Sequence, residues 1–150
     1  MLSESFLPFF EWCGNTWLGT TVRDTVWAFP VIETFHLLAL AVLLGTVLIV
    51  NLRVFGLGAR DAAGPQTARE LEPWMLVSLA VLILSGIPMF LSEPMKCYES
   101  VSFPIKIGLL LMAIVWHFTI QRKWRGKLTA GFSILLWAGI GIAGKGIPYV

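Results

Sequence analysis

The sequence predicts an all-α membrane protein: a four-transmembrane-helix bundle with an N-terminal interfacial segment and with both termini on the non-cytoplasmic side. Three observations predict it. Of the 150 residues, 57% are hydrophobic and 13% are charged, whereas a soluble domain has about 25% charged residues. Four apolar runs have about the length that crosses a bilayer. Most of the basic residues fall in two of the connections between those runs.

The first element is the amino-terminal segment, which is rich in Phe and Trp. A secretory signal has a basic region ahead of its apolar core, but residues 1–19 contain Glu4 and Glu11 and no Lys or Arg. Aromatic side chains favour the boundary between headgroups and hydrocarbon. We therefore expect residues 2–19 to form an interfacial segment rather than a cleaved signal, with a disordered tail as the alternative.

Four spans follow and make residues 1–150 a single integral membrane domain. They cover about residues 29–52, 74–91, 103–120 and 128–144. Residues 56–73 contain Gly, Pro, Asp and Arg. We expect them to form a loop with room for a short helix at 67–72.

Lys and Arg set the orientation of the spans. Seven of the 11 basic residues, three and four respectively, lie in the first and third connections: Arg53, Arg60, Arg69, Arg122, Lys123, Arg125 and Lys127. The positive-inside rule places both connections in the cytoplasm, so both termini are expected in the periplasm, outside a bacterial inner membrane. Cys13 and Cys97 then share the oxidising side. A disulfide between them is predicted, with two unrelated apolar thiols as the alternative.

Polar residues inside the spans form inward-facing stripes. Ionisable groups in a bilayer are costly and are functional hypotheses by default. At about 100° per residue, Glu33, His36 and Asn51 share one face of span one. The other spans carry such a face too: Ser78 and Ser85 in span two, Lys106 and His117 in span three, Thr129 and Ser133 in span four. A bundle with a semi-polar interior follows.

The two histidines of the chain suggest a haem held between them, as in other four-helix proteins. Counted from the nearest cytoplasmic arginine, however, His36 lies 17 residues away (53 − 36) and His117 lies five (122 − 117). At about 1.5 Å per residue the two differ in depth by roughly 18 Å. One haem bridging them within one chain is therefore disfavoured. Each stays a separate candidate metal ligand, and His117 is also interpreted as an interfacial histidine bonded to a neighbour.

The same count predicts a cluster near the outer leaflet. It comprises Glu33, His36, Met89 and Lys106, with Lys145 just above. Three interpretations stay open. The first is a structural Glu33–Lys106 ion pair beside His36. The second is a b-type haem on His36, with Met89 or a histidine of another subunit opposite and Lys106 or Lys145 on the propionates. The third is a quinone or proton site on His36 and Glu33.

Two stretches carry a resemblance to a known family. The first is Pro30, Glu33 and His36, followed by Gly45 and Asn51-Leu52-Arg53-Val54-Phe55-Gly56, and the second is the ending Gly144-Lys145-Gly146-Ile147-Pro148-Tyr149. They resemble an uncharacterised family of small four-helix bacterial inner-membrane proteins and, more distantly, the copper-resistance D (CopD-like) membrane proteins. Asn51 stands where that family's pattern has Asp. The resemblance implies the architecture and points to Glu33, His36, Arg53 and Lys106; it implies no reaction.

Known catalytic motifs are missing from the sequence. It has no phosphate loop, CxxC pair, CxxCH haem attachment or HExxH, and no basic patch with interleaved aromatics, so no nucleic-acid partner is expected. We expect a small integral membrane subunit of a respiratory or redox assembly, not an enzyme on its own, with a b-type haem or quinone site around His36. Its expected partners are the lipid bilayer and either other membrane subunits or further copies of the chain.

Two alternatives to a redox subunit stay open. One is a cofactor-free structural or accessory subunit. The other is periplasmic copper handling, in which the soft ligands Met89, Met95 and Cys97 would act together with His36.

Overall fold

A computed structural model describes residues 3–57, 64–121, 123 and 126–146. Within these ranges the chain forms helices and no strand. Four helices are long and apolar enough to cross a membrane, which confirms that part of the predicted fold class. Three of the counted arginines (Arg60, Arg122 and Arg125) and the end of the carboxyl-terminal motif (residues 147–150) lie outside the described residues.

Seven α-helices make up the described chain. Their bounds are Leu7–Gly14 (α1), Trp17–Asp24 (α2), Ala28–Val54 (α3), Gly64–Ser92 (α4), Pro94–Glu99 (α5), Ser102–Val115 (α6) and Lys127–Gly146 (α7). A 3₁₀ turn, Glu4–Phe6, precedes α1, and a π-helix, Trp116–Gln121, continues α6. The four predicted spans fall within α3, α4, α6 with its π-helix, and α7.

Residues 67–72, where a short helix was predicted within the loop, are helical, but the helix is not a separate one. α4 begins at Gly64 and runs on through Pro73 into the second span. A proline inside a helix lacks the N–H for the carbonyl four residues back, which is that of Arg69. The segment between them, Glu70-Leu71-Glu72, consists of good helix formers. Their propensity and the packing of α4 outweigh the helix-breaking effect of Pro73.

α3 is the central helix of the bundle. It packs along α4 on one side and along α7 on the other, and α6 packs against α7. All four contribute to one buried core: Leu43, Val47, Met75, Leu79, Ala113, Leu136, Trp137 and Ile140. The span that contains α6 is the least buried of the four: 6% of it is buried, compared with 28% of each of the other three.

The short helices gather at the end of the bundle where α4 meets α5. α2 packs on α4, and α1 packs on α5. Phe10 of α1 lies edge-on to Phe90 and Tyr98, with ring centroids 5.6 and 5.4 Å away. We call this the α5 end, and we call the opposite end, where Arg53 and Lys127 lie, the basic end.

The amino-terminal helices leave large apolar side chains uncovered. Phe6, Phe9, Trp12 and Trp17 are all more than half exposed. The segment expected at the interface is therefore helical and presents an aromatic surface away from the bundle.

Candidate functional site

His36 lies half-buried on the face of α3 that meets α4, in the half of the bundle nearer the α5 end. Its Nδ1 is 2.7 Å from the hydroxyl oxygen of Ser85. That hydroxyl oxygen is also 2.6 Å from the carbonyl oxygen of Val81. A serine hydroxyl has only one proton to donate. With that proton on the Val81 carbonyl, the imidazole donates from Nδ1 and Nε2 keeps a lone pair, whereas with the proton on Nδ1 the imidazole is in its Nε2–H tautomer.

A glycine beside the imidazole lets the ring approach the backbone of α4. A Cβ placed on Gly86 would come 3.6 Å from Cε1 of His36, which is ordinary van der Waals contact. An alanine would fit at this position, whereas a longer side chain would have to displace the ring.

Lys106 brings a positive charge to the same region. A Cβ placed on Gly144 of α7 would lie 3.3 Å from both Cε and Nζ of Lys106, so the side chain lies against that helix. The Lys106 charge acts on both His36 and Cys97. Among the described residues, no carboxylate forms an ion pair with it. The positive charge therefore lies within the bundle without a negative partner from the described chain.

The other members of the predicted cluster lie nearby without a described contact to His36. Glu33 is half-buried one turn before His36 on α3, and Met89 is half-buried one turn after Ser85 on α4. Lys145 is exposed. The described contacts include no ion pair between Glu33 and Lys106.

His117 lies near the basic end instead. It belongs to the π-helix and lines a cavity of about 40 Å³ together with Asn51 and Glu72. Asn51 follows His36 by 15 residues on α3 (51 − 36), which is about 22 Å along the helix axis. The structure does not bring the two histidines together.

Both cysteines are buried free thiols, on two helices that pack together. Burial raises the pKa of Cys13, and it raises that of Cys97 to about 11 although the Lys106 charge opposes it. Cys97 packs with Phe10 and Tyr98. The disulfide stays a prediction. Met95, the other proposed soft ligand on α5, is exposed.

The sequence did not identify Ser85 as the partner of His36. Its position on the inward stripe of span two was a usable signal, because α3 and α4 are consecutive antiparallel helices and pack face to face. The missing information was the register between them, which depends on side-chain packing along their whole length. Gly144 was singled out only as part of a motif, and its contact with Lys106 had no sequence signal.

A family model described as a family of unknown function, DUF6644, matches residues 9–150. No curated protein and no solved structure matches the chain. The expectation of an uncharacterised family is confirmed at this level. The likeness to copper-resistance membrane proteins stays a prediction.

Proposed function

The chain belongs to DUF6644, a family of unknown function, and we propose from its site geometry that it is a small membrane subunit of a redox assembly. In this proposal His36 would hold the iron of a b-type haem near the α5 end. The haem would supply one-electron transfer. The protein supplies the ligand, its orientation and the surrounding charge.

The observation that carries the proposal is the hydrogen bond from Nδ1 of His36 to Ser85. A metal-bound histidine almost always donates its other ring N–H to a fixed acceptor, which sets the tautomer and the ring orientation. Ser85 is such an acceptor when its own proton is on the Val81 carbonyl. Nε2 is then the nitrogen with the lone pair that iron requires.

The charge of Lys106 supports an anionic group in the same place. A cation inside a bilayer is costly unless it is paired, and the described residues give Lys106 no carboxylate. A haem propionate would supply that partner.

A quinone is the second candidate for this site. An oxidised quinone carbonyl needs a hydrogen-bond donor, and in the Nδ1–H tautomer that this proposal uses, Nε2 is an acceptor. Lys106 would have to be the donor, so the tautomer favours iron over the quinone.

A second ligand for the iron would come from Met89 or from the His36 of a second copy. Met89 is on α4, one turn from Ser85. Haem iron bound by one histidine and one methionine has a different redox potential from haem iron bound by two histidines. Met89→Leu would therefore change the spectrum and the potential in the first case and leave both unaltered in the second.

The membrane placement belongs to the same proposal. The four apolar helices cross a bacterial inner membrane, the basic end faces the cytoplasm by the positive-inside rule, and the α5 end faces the periplasm with both termini. The test uses reporter fusions. Alkaline phosphatase fused after Val150 should be active, and a fluorescent protein fused at the same position should not fluoresce. Fusions after Leu57 should give the reverse result. Phosphatase activity in a fusion after Leu57 would show that the chain has the opposite orientation.

The haem test is a visible spectrum of the protein purified in mild detergent with its native partners. A Soret band is expected in the wild type and in His117→Ala, and it should disappear in His36→Ala. Ser85→Ala should keep the fold and weaken haem retention roughly 10- to 100-fold, whereas Gly86→Ala should be neutral.

Two results would overturn the haem assignment. A protein that carries no Soret band although it was purified with its partners from iron-replete cells would be the cofactor-free accessory subunit. Copper that remains bound in the wild type and is lost in both His36→Ala and Cys97→Ser would instead indicate copper handling.

A further inference from the structure

A cleft at the α5 end lies between α1, the end of α2 and the junction of α4 with α5. Its volume is about 430 Å³, which is within the roughly 300–1,000 Å³ of pockets that bind small molecules. All three segments contribute charged or polar side chains to its lining: Glu11, Asn15, Arg23, Glu93 and Lys96. The cleft is therefore large enough and polar enough for a small charged ligand.

The lining has charges of both signs and no net charge. Arg23 and Lys96 supply two positive charges, and Glu11 and Glu93 supply two negative ones. Glu93 and Lys96 pair with each other, with a nitrogen–oxygen distance of 2.7 Å. Glu11 and Arg23 border the same space without forming an ion pair with each other. A ligand that carries both charges can bind between these two side chains, whereas a ligand of one sign would also meet a like charge.

Arg23 keeps hydrogen-bond donors for such a ligand. A guanidinium has five N–H groups, and two of those of Arg23 are used on the carbonyl oxygens of Ser92 and Gly14. Both of these residues line the cleft, so the two bonds hold the guanidinium at its wall. Within the described ranges, Nη1 of Arg23 donates to no protein acceptor. A guanidinium held in one orientation is well suited to the oxygens of a phosphate group.

α1 supplies the negative side of the cleft and also carries uncovered aromatic rings. The Glu11 side chain is exposed and has no ion-pair partner in the described chain. Phe9 and Trp12 of the same helix are 53% and 66% exposed. Aromatic side chains of this kind favour the depth of the lipid headgroups. In the proposed membrane, α1 therefore holds the cleft at headgroup depth, which favours a lipid over a ligand from solution.

We infer that this cleft binds the zwitterionic headgroup of a phospholipid, with the phosphate on Arg23 and the ammonium group on Glu11. Phosphatidylethanolamine has both charges, and its primary ammonium group has N–H donors for a carboxylate. Phosphatidylcholine has the charges without these donors, and phosphatidylglycerol has no positive group. The inference rests on the membrane placement proposed above and not on the haem, so failure of the spectroscopic test at His36 leaves it standing.

The test is native mass spectrometry of the full chain in detergent, titrated with these three lipids carrying identical acyl chains. Phosphatidylethanolamine should bind most tightly. Glu11→Gln should weaken its binding about two- to fivefold, the effect of losing one exposed ion pair, and should not weaken the binding of phosphatidylglycerol. Glu99→Gln is the matched control, because Glu99 is exposed on α5 and does not line the cleft. It should leave the binding of all three lipids unchanged.

Arg23→Lys keeps the charge but not the fixed set of donors, and it should also weaken phosphatidylethanolamine binding. Thermal unfolding without lipid identifies a loosened fold in this variant, and Glu11→Gln decides the result in that case. Equal affinities for the three lipids, or equal effects of Glu11→Gln and Glu99→Gln, would overturn the inference.

Soluble phosphoethanolamine is the final probe, because it has the same two charges without acyl chains. It should not displace the lipid at equal concentration. Displacement would show that the ligand is a soluble zwitterion and would overturn the lipid assignment. Because binding is measured in detergent, its outcome is independent of the orientation that the reporter fusions test.

Discussion

The Nε of Arg23 on α2 donates a hydrogen bond to the carbonyl oxygen of Ser92, the last residue of α4, over 2.9 Å. Its Nη2 donates to the carbonyl of Gly14, the last residue of α1, over 2.7 Å. Carbonyls at helix ends have no partner inside the helix, and a cation there also interacts favourably with the helix dipole. One side chain thus ties α1 and α2 to the end of a span.

Replacing Arg23 with Gln should loosen the amino-terminal helices. The loss of two charge-assisted hydrogen bonds, partly exposed to solvent, should lower the free energy of unfolding by about 1–3 kcal/mol. The measurements are thermal unfolding in detergent and the rate of proteolysis between residues 15 and 28. Lys96→Gln breaks an exposed pair with Glu93 and should cost about 1 kcal/mol or less. Equal losses in the two variants would contradict the role of Arg23.

Gly19 marks a close approach between α2 and α4. A Cβ there would overlap the backbone carbonyl of Leu91, so Gly19→Ala should push α2 away and cost about 1–3 kcal/mol. Gly45→Ala is the control, because no atom lies within 4 Å of its added Cβ. Alanine is also the better helix former by about 1 kcal/mol, so Gly45→Ala should be neutral or stabilising. Thermal unfolding of both variants compares them directly.

The Cys97 thiol should react slowly in the reduced, folded protein. Burial raises its pKa from 9.0 to about 11, and the thiolate is the reactive form. The thiol is therefore protonated at neutral pH, and a two-unit shift alone reduces alkylation roughly 100-fold relative to the unfolded chain. The alkylation rate, followed by mass spectrometry, should keep rising until about pH 11. A plateau near pH 9 would show that Cys97 is accessible.

The predicted disulfide is tested on the unreduced native protein. The structure puts Cys13 and Cys97 on two helices that pack together. The expected result is that neither thiol is alkylated before reduction and that both are alkylated afterwards. Two alkylatable thiols after unfolding without reductant would disprove it.

Asn51 should be a stability determinant of the basic end. It is completely buried, and its Nδ2 donates to the carbonyl of Val47 over 2.7 Å. Asn51→Ala removes this bond and empties part of the space between α3 and α7, so we expect a loss of about 1–3 kcal/mol. Thr34→Ala removes an exposed hydroxyl bound to its own helix and should change stability by no more than about 0.5 kcal/mol. Thermal unfolding would measure both.

The four long helices were largely predictable because apolar runs of that length are visible in any sequence. The inward faces were predictable for the same reason, since Asn51 and Ser133 are indeed buried. The helical course of Pro73 and the π-helix at His117 were not predictable. Both are local departures that depend on packing between helices, and neither periodicity nor composition records that packing.

The candidate site was proposed from the sequence as a set of residues without a geometry. Counting along the helices put His36, Met89 and Lys106 at one depth. The count could not show that Lys106 lies against Gly144, or that Ser85 forms a hydrogen bond with His36. Those contacts depend on helix rotation and register, which are set by many weak contacts together.

The apolar core between Leu43 and Ile140 has an electrical consequence. In a membrane spanned as proposed, the voltage falls across this low-dielectric layer, and the His36 region and the Glu72 cavity lie on opposite sides of it. Moving one elementary charge across the membrane costs about 2.3 kcal/mol per 100 mV. A charge transferred between the two regions would therefore cross most of the membrane voltage, whereas a charge exchanged with the water on its own side would cross little of it.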